Sequence, residues 1–355
     1  MTSHEFDTPE RDGVARGAWR WMLCRKAWLS VILLLPSLAW AERLFEGDAA
    51  LDITLSGPLS DLLDDRKDEV PFPFTLTADG VDYPIELSPR GKSRLETCAF
   101  PPLRITFLDP PPESSPFFGL ERVKLVTPCR DVHNMEVNVF EEYAAYRIFN
   151  QFSEVSYRVR LLNIAFKDTA GALDGVHAAF AIEPTDRMAE RLGGRERELP
   201  GVSRKNLDPE HVARMYVFQY LVGNTDWSLV TADGDEFCCH NGKLLQLGNR
   251  LYLVPYDFDR TGLVDASYAK PAPKTRIRKV TQRRYRGYCM EDEAPLEDAV
   301  ATSVALKPEI LAVMNELSIL DKDDREKFQD FLGDYFEEAQ DRDALLKEFR
   351  RSCVG

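Results

Sequence analysis

Acidic and amide side chains follow one apolar helical run in the middle of the chain. Asp226 stands in the polar stretch Asn-Thr-Asp-Trp-Ser, immediately after the run that ends at Gly223. Asn241 comes next, and Asp257 and Asp259 directly follow an apolar, strand-like run. Carboxylate and amide oxygens are ligands for Mg²⁺, and phosphoryl transfer also uses a carboxylate that faces the acceptor hydroxyl. The order Asp, Asn, Asp therefore predicts magnesium-dependent phosphoryl transfer from a nucleotide.

A helix and a tight hairpin are expected to position these side chains. Residues 208–221 begin with Asp-Pro, an N-cap followed by a favoured first helical residue, and continue as an apolar run. Residues 243–247 and 250–254 read as two strands joined through Gly-Asn. Because alternate residues along an extended chain share a face, Asp257 and Asp259 are expected to contact the same metal ion.

Composition narrows the class of protein. The chain has 355 residues, of which 44% are hydrophobic and 29% charged, and this fits one large or two medium globular domains. A formal net charge of −14 argues against nucleic acid or an anionic membrane as partner. The chain lacks Walker and Rossmann phosphate loops, the G-x-S-x-G elbow and the H-E-x-x-H zinc motif.

Residues 1–41 have the pattern of a secretory signal. Basic residues precede an apolar run at 27–41 that ends in Ala-Trp-Ala. The run is shorter than the roughly 20 residues of a membrane span, and Pro36 interrupts it. We therefore expect a periplasmic or secreted protein with no stable membrane span after cleavage near Ala41. An uncleaved anchor is the alternative, and Met22 is an alternative start.

Cysteine usage agrees with export. Six cysteines follow the leader: Cys98, Cys129, Cys238, Cys239, Cys289 and Cys353. An even number in an oxidising compartment predicts disulfides, although six cysteines allow 15 pairings. The preferred pairing joins Cys98 to Cys129, with Cys289 bonded to Cys353 or to one of the adjacent pair. A zinc site from the adjacent pair, His240 and Cys289 is disfavoured, because neighbouring ligands are poorly spaced for zinc.

The order of elements predicts an α+β protein. A polar, Asp-rich segment at 42–70 is followed by strand patterns at 71–200, of which the first two are joined through an Asp79-Gly80 turn. A helix at 136–151 and a short helix at 186–192 interrupt these strands. Residues 201–355 are mainly helical, apart from the hairpin.

The motifs in this order resemble a known family. In order along the chain, these motifs are a hairpin with R-G-K-S, a strand lysine, a helix glutamate, and then G-N-T-D, H-N and Y-D-F-D. Their order resembles that of the spore coat protein H (CotH-like) branch of atypical protein kinases. The chain is more similar to exported bacterial proteins that share G-N-T-D-W-S, C-C-H-N and P-Y-D-F-D. The resemblance implies a bilobal protein-kinase-like fold, with a β-rich N-lobe at 71–200 and a mainly helical C-lobe at 201–355. It also implies binding of ATP, or another nucleoside triphosphate, with Mg²⁺.

The resemblance assigns roles residue by residue. Asp226 would be the catalytic aspartate, and Asn241, Asp257 and Asp259 would hold Mg²⁺. The nucleotide-binding residues would be Arg90, Lys92, Ser93, Lys124 and Glu142. Within that set, Lys124 would contact the phosphates and pair with Glu142, while the adjacent Glu141 is expected to be solvated. The acceptor would be a protein or glycan hydroxyl in the cell envelope.

Two departures from the family pattern keep other functions open. The spacing from Asp226 to Asn241 is longer than is usual in kinases, and ATP is scarce outside the cytoplasm. One alternative is a catalytically inactive, pseudokinase-like secreted binding module. Another is a divalent-metal hydrolase built on the same acids.

The metal and catalytic roles are separable by substitution. Asp257→Ala is expected to abolish Mg-ATP binding because it removes a metal ligand, whereas Asp226→Ala is expected to bind Mg-ATP and to lose phosphoryl transfer. Calorimetry and transfer of labelled phosphate measure the two properties. Transfer retained in Asp226→Ala would refute the role of that aspartate.

Overall fold

The computed structural model describes residues 43–130, 132–232, 236–273 and 275–355, and the predicted signal at 1–41 lies outside them. The first seven strands are β1 (Leu51–Gly57), β2 (Phe72–Ala78), β3 (Val81–Pro89), β4 (Leu103–Phe107), β5 (Arg122–Val126), β6 (Val159–Asp168) and β7 (Gly175–Ile182). Three more are β8 (Arg195–Arg197), β9 (Gly242–Leu247) and β10 (Arg250–Pro255).

The helices are α1 (Leu59–Asp64), α2 (Ser93–Thr97), α3 (His133–Phe152), α4 (Thr185–Arg191), α5 (Pro209–Leu221), α6 (Ala294–Ala305), α7 (Lys307–Ala312), α8 (Lys322–Glu338) and α9 (Arg342–Ser352). Short 3₁₀ turns lie at Arg66–Asp68, Arg204–Asn206 and Val313–Glu316. Within the described ranges, no helix combines the length and the apolar character needed to cross a membrane.

Seven strands form a closed barrel in the order β1-β2-β3-β4-β5-β7-β6. The barrel closes where β1 pairs in parallel with β6, from Leu51 opposite Leu162 to Gly57 opposite Asp168. The other neighbours pair antiparallel. Alternate residues of each strand point inward and fill the interior with side chains such as Leu55, Leu76 and Ile85.

The barrel shows that the predicted bilobal protein-kinase-like fold is wrong, although the α+β class is compatible with the structure. The physical reason lies in the outer faces of β5, β6 and β7. Val126, Leu161 and Phe180 point away from the barrel interior and join one large core with α3 and α5. Strands that are apolar on both faces belong to two cores at once, so they attach the barrel directly to the helical part.

Strand β1 was missed in the sequence because its surroundings are rich in aspartate. Leu51, Ile53 and Leu55 alternate with polar residues, and Ile53 and Leu55 are buried in the barrel. The segment predicted as polar at 42–70 therefore supplies the strand that closes the sheet.

Local signals in the sequence located the other elements well. Asp79 and Gly80 both have positive φ in the turn between β2 and β3, as the Asp-Gly hairpin signal predicted. Asp208 caps α5 by accepting a hydrogen bond of 2.9 Å from the backbone N–H of His211. The three-stranded sheet has the order β10-β9-β8, and Gly248 turns the chain from β9 into β10.

Three disulfides involve the six cysteines from Cys98 to Cys353. Cys98 pairs with Cys129, which is the preferred pairing from the sequence, and Cys289 pairs with Cys353. The adjacent cysteines 238 and 239 are bonded to each other. This pairing leaves Cys289 unable to join a zinc site with the adjacent pair.

The barrel interior is expected to be a main source of stability. Leu76 has no solvent exposure, so Leu76→Ala should cost about 2–5 kcal/mol of unfolding free energy through the cavity it leaves. Val81 is 48% exposed at the start of β3, and Val81→Ala should change the same quantity by less than about 0.5 kcal/mol. Urea unfolding with the disulfides intact measures both, and equal losses would contradict the barrel register.

Candidate functional site

Arg94 lies among three carboxylates from distant parts of the chain. One guanidinium nitrogen donates to Asp257 Oδ1 at 2.8 Å and also contacts Glu142 Oε2 at 3.1 Å. The Nε of Arg94 lies 3.0 Å from Asp259 Oδ2. Arg94 belongs to α2, Glu142 to α3, and both aspartates to the loop after β10. A single side chain therefore ties the barrel to the segment that carries the acidic pair.

Burial and charge oppose each other in this cluster. Burial raises the pKa of Glu142 and of Asp259, while the charge of Arg94 lowers both. Burial also lowers the pKa of Arg94, but its three carboxylate partners outweigh that effect and hold the guanidinium pKa well above its usual value. Arg94 is therefore charged throughout the working pH range.

The two aspartates differ in what they can bind. The Asp259 side chain is 5% exposed, and the cavity that it shares with Arg94 and Glu142 measures only about 10 Å³. Such a space holds at most one water molecule. The Asp257 side chain is 43% exposed, and only its Oδ1 accepts the bond from Arg94. Asp257 can therefore contact a ligand, whereas Asp259 is an internal partner of Arg94 and not the open metal ligand that the sequence predicted.

The open end of the β9–β10 hairpin places Asn241 beside Asp257. Gly242 pairs with Pro255, and the N–H of Tyr256 donates to the carbonyl of Asn241 at 3.1 Å. Asn241 has φ of 51° and Asp257 has φ of 65°. Left-handed backbone is uncommon for residues other than glycine, and its concentration at one point is typical of functional sites.

Asp226 joins this arrangement through Asn241. The amide nitrogen of Asn241 donates to the carbonyl oxygen of Asp226 at 2.7 Å and lies 3.4 Å from its Oδ2. His240 Nε2 lies 3.0 Å from Asp226 Oδ1, and Arg260 approaches Oδ2 to 3.8 Å. Burial raises the pKa of Asp226, but His240 and the nearby arginines, including Arg286, outweigh it and lower that pKa. Asn241 therefore contacts Asp226 through its side chain and Tyr256, the residue before Asp257, through its backbone.

Arg90 and Lys124 are half-buried cations with no carboxylate at ion-pair distance among the residues that the structure describes, and the charge of Asp257 acts on Arg90. Arg90 follows β3, and its Nε is buried without a hydrogen-bond partner. Burial and the neighbouring Arg94 lower the pKa of Arg90. Lys124 lies on β5 with its Nζ 6.0 Å from the centroid of the Tyr256 ring. Burial, followed by the charge of Arg90, lowers the pKa of Lys124 to about 8.

Lys124 lines a cleft between the barrel and the three-stranded sheet. The cleft measures about 270 Å³. Its basic lining residues are Arg104, Arg122, Lys124 and Lys243, and its acidic ones are Asp186, Glu196 and Glu198. Lys243 pairs with Glu196 at 3.1 Å, whereas Lys124 has no carboxylate at ion-pair distance in the described part of the chain and could pair with an anionic ligand.

Several predicted contacts differ in the structure. Lys124 does not pair with Glu142, because Arg94 takes that position. Lys92 and Ser93 are exposed, and Lys92 pairs with Glu236 on the surface. Glu141 is buried and accepts a hydrogen bond from Asn138, so it is not solvated, and burial raises its pKa to about 8.

Arg94 is the site residue that the sequence did not single out. It lies in the R-G-K-S-R stretch, where residue type alone does not separate it from its neighbours. Its partners stand 48 and 163 positions away along the chain. Only the packing of α2 against α3 makes Arg94, rather than Lys124, the partner of Glu142.

Loss of Arg94 is expected to destabilise the fold. Arg94→Met leaves three carboxylates without their counter-charge and should cost about 3–5 kcal/mol of unfolding free energy at about pH 9. The loss should shrink as pH falls through about 8 toward pH 5, because burial raises the pKa of Glu142 to about 8 and also raises that of Asp259, so these carboxylates take up protons as the pH falls. Lys67→Met, which breaks the exposed pair with Glu96, should cost less than about 1 kcal/mol at either pH. Denaturant unfolding measures both variants, and a pH-independent loss in Arg94→Met would contradict the assignment.

Comparison with known proteins adds no family to this description. No protein-family model matches the chain, and a search of curated proteins found none similar to it. The roles of the site residues are therefore derived from the contacts above.

Proposed function

We propose that this protein is an exported phosphotransferase that uses Mg²⁺ and a nucleoside triphosphate, such as ATP, to phosphorylate a protein or glycan hydroxyl in the cell envelope. The observation that carries the proposal is a pair of half-buried cations: Arg90, on which the charge of Asp257 acts, and Lys124, whose Nζ lies 6.0 Å from the ring of Tyr256, the residue before Asp257. A partly buried charge without an ion-pair partner is costly, so a bound anion would stabilise both cations. Phosphate groups would pair with the two cations, and a metal ion bound to the same phosphates would be coordinated by the carboxylate of Asp257.

The donor set beside the cations fits magnesium. Arg94 bonds to one carboxylate oxygen of Asp257, so the other oxygen could bind a metal ion. The side-chain amide of Asn241 bonds to Asp226 through its nitrogen, so its oxygen could bind the same ion. Oxygen donors of this kind are those Mg²⁺ takes when it also binds substrate phosphates. When bound there, Mg²⁺ would neutralise charge on the phosphates.

Asp226 would act on the acceptor. Its lowered pKa keeps the carboxylate ionised at neutral pH, and its contacts to His240 and Asn241 fix its orientation. As the acceptor oxygen bonds to phosphorus and the bond to the leaving nucleoside diphosphate breaks, the hydroxyl proton passes to Asp226. Because its pKa is lowered, Asp226 is a weak base and accepts the proton only once the new bond is well formed. Its main contribution is therefore to orient the acceptor hydroxyl.

The proposal depends on the donor set and not on a protein-kinase-like architecture, which the barrel replaces. The resemblance to CotH-like kinases supports the activity through the order of Asp226, Asn241 and Asp257 in the sequence. Export remains part of the proposal through the pattern at residues 1–41 and through the three disulfides.

One observation favours a second function, a secreted binding module without turnover. The guanidinium of Arg94 occupies the space between Glu142, Asp257 and Asp259, so an internal cation neutralises the acidic pair. A protein of this kind would bind an anion through Arg90 and Lys124 and transfer no phosphate.

Removing either unpaired cation is expected to weaken nucleotide binding. Lys124→Gln and Arg90→Gln should each raise the Kd for Mg-ATP about 10- to 100-fold, since each removes a charge-assisted contact to phosphate. The difference between wild type and Lys124→Gln should shrink as pH rises above about 8, because the lysine then loses its charge. Calorimetry at several pH values measures both effects.

Lys167→Gln provides the control, because Lys167 is exposed on β6 outside the site. It should bind Mg-ATP as the wild type does. Unchanged affinity in Lys124→Gln and Arg90→Gln would refute the phosphate site. Normal binding without transfer to any acceptor would favour the binding module.

A further inference from the structure

A strongly basic segment interrupts this acidic chain. Residues 266–290 contain no aspartate or glutamate, although the whole chain has a formal net charge of −14. The eight basic residues of this segment are Lys270, Lys274, Arg276, Arg278, Lys279, Arg283, Arg284 and Arg286. The proposed phosphate site uses none of them. We call residues 266–290 the basic segment.

The basic segment packs directly against the loop that carries Asp226. Arg286 donates to the carbonyl oxygen of Thr225, the residue before Asp226. The N–H of Ala272 donates to the hydroxyl of Thr225 at 3.3 Å, and Arg283 Nε donates to the carbonyl of Leu221 at 3.2 Å. The two ends of the segment are therefore anchored next to the proposed catalytic aspartate.

The basic residues divide into an inner and an outer group. Arg283 and Arg286 face inward, hold backbone carbonyls, and lie close enough to acidic side chains to interact with them. The outer cations with no carboxylate at ion-pair distance in the described part of the chain are Lys270, Arg276, Arg278, Lys279 and Arg284. All of these except Arg284 are exposed, and Lys279 lies close enough to Asp265 to interact with it. The outer group is thus a cationic surface whose charge is not satisfied internally.

We infer that the basic segment docks an acidic stretch of polypeptide and so presents a nearby hydroxyl to Asp226. Arginine forms paired hydrogen bonds with carboxylates, and it loses less hydration than lysine when it does so. Arg276 and Arg278 supply such groups on the surface, and the same segment contacts Thr225, the residue before Asp226, through Ala272 and Arg286. The inference rests on the proposed phosphotransferase function only for calling the bound stretch an acceptor.

The charge of the remaining surface favours a short acidic stretch over an extended polyanion. Outside the basic segment the chain is strongly acidic, so a long nucleic acid or a flat anionic membrane would be repelled wherever it extended beyond the segment. A flexible acidic polypeptide can place a few carboxylates on the segment and leave the rest of the surface. The basic segment therefore selects a protein acceptor with acidic residues near the modified hydroxyl.

Binding of a labelled peptide tests the inference without nucleotide. The probe is a short peptide of alternating Glu and Ser, with a Gln-Ser peptide of the same length as its neutral counterpart. Fluorescence anisotropy with the full chain should show binding of the Glu-Ser peptide that weakens steeply as salt rises, and much weaker binding of the Gln-Ser peptide.

The matched variants carry equal changes of charge. Arg276→Gln/Arg278→Gln should raise the Kd for the Glu-Ser peptide about tenfold. Arg342→Gln/Lys347→Gln, two exposed positions on α9, should leave it within about twofold. Equal effects of the two double variants would overturn the inference, as would tighter binding of single-stranded DNA or of phosphatidylserine vesicles than of the peptide.

The design separates this inference from the proposed function. Mg-ATP binding that depends on Lys124, together with no binding of the Glu-Ser peptide, would overturn the docking role alone. Peptide binding that depends on Arg276 and Arg278, without Mg-ATP binding, would support docking while refuting the phosphotransferase.

Discussion

The buried guanidinium of Arg94 is the interaction on which the arrangement of the site depends. It contacts Glu142, Asp257 and Asp259, and these come from α3 and from the loop after β10. Three carboxylates so close together would repel one another and pay a large desolvation cost without a cation between them. Arg94 supplies that cation and fixes the loop that carries Asp257. Arg94 also contacts Asp259, two residues further along, so the backbone that carries the exposed carboxylate of Asp257 is held in place.

The barrel and the β9–β10 hairpin position the other residues of the site around the Arg94 cluster. The barrel holds Arg90 and Lys124 at the ends of β3 and on β5, and the outer faces of β5, β6 and β7 share a core with α3 and α5. The β9–β10 hairpin sets Asn241 opposite Tyr256, so Asn241 can reach both Asp226 and the start of the acidic loop. Polar groups placed on such supports keep their geometry, which a site for phosphoryl transfer needs.

Charge is distributed in a way that matches a reaction between anions. The chain is acidic as a whole, while Lys124 shares a cleft with other basic residues and the basic segment carries exposed cations. Asp226 contacts Asn241 and follows Thr225, which the basic segment contacts. A phosphate donor on one cationic surface and an acidic acceptor on the other would meet at this aspartate. The same acidity elsewhere would discourage binding of other anions.

Much of this protein could be predicted from local patterns in the sequence. Short-range preferences produce the Asp-Gly turn, the Asp-Pro helix start and the hairpin before Asp257. Local preference acts over a few residues, so it defines elements well and their partners poorly. The polar setting of β1 concealed the strand that closes the barrel, and the resemblance led to a bilobal fold that the closed sheet excludes.

Only the tertiary structure decided which charges meet. Lys124 was the predicted partner of Glu142, but Arg94 holds that position, and the sequence has no signal that separates Arg94 from the other basic residues nearby. Asp257 and Asp259 look equivalent along the chain, yet one is exposed and the other is enclosed by Arg94. Burial and ion pairing arise from contacts between residues far apart in the sequence, because desolvation depends on the whole surrounding volume. The sequence therefore determined the set of reactive side chains, and packing determined which of them remain able to bind a ligand.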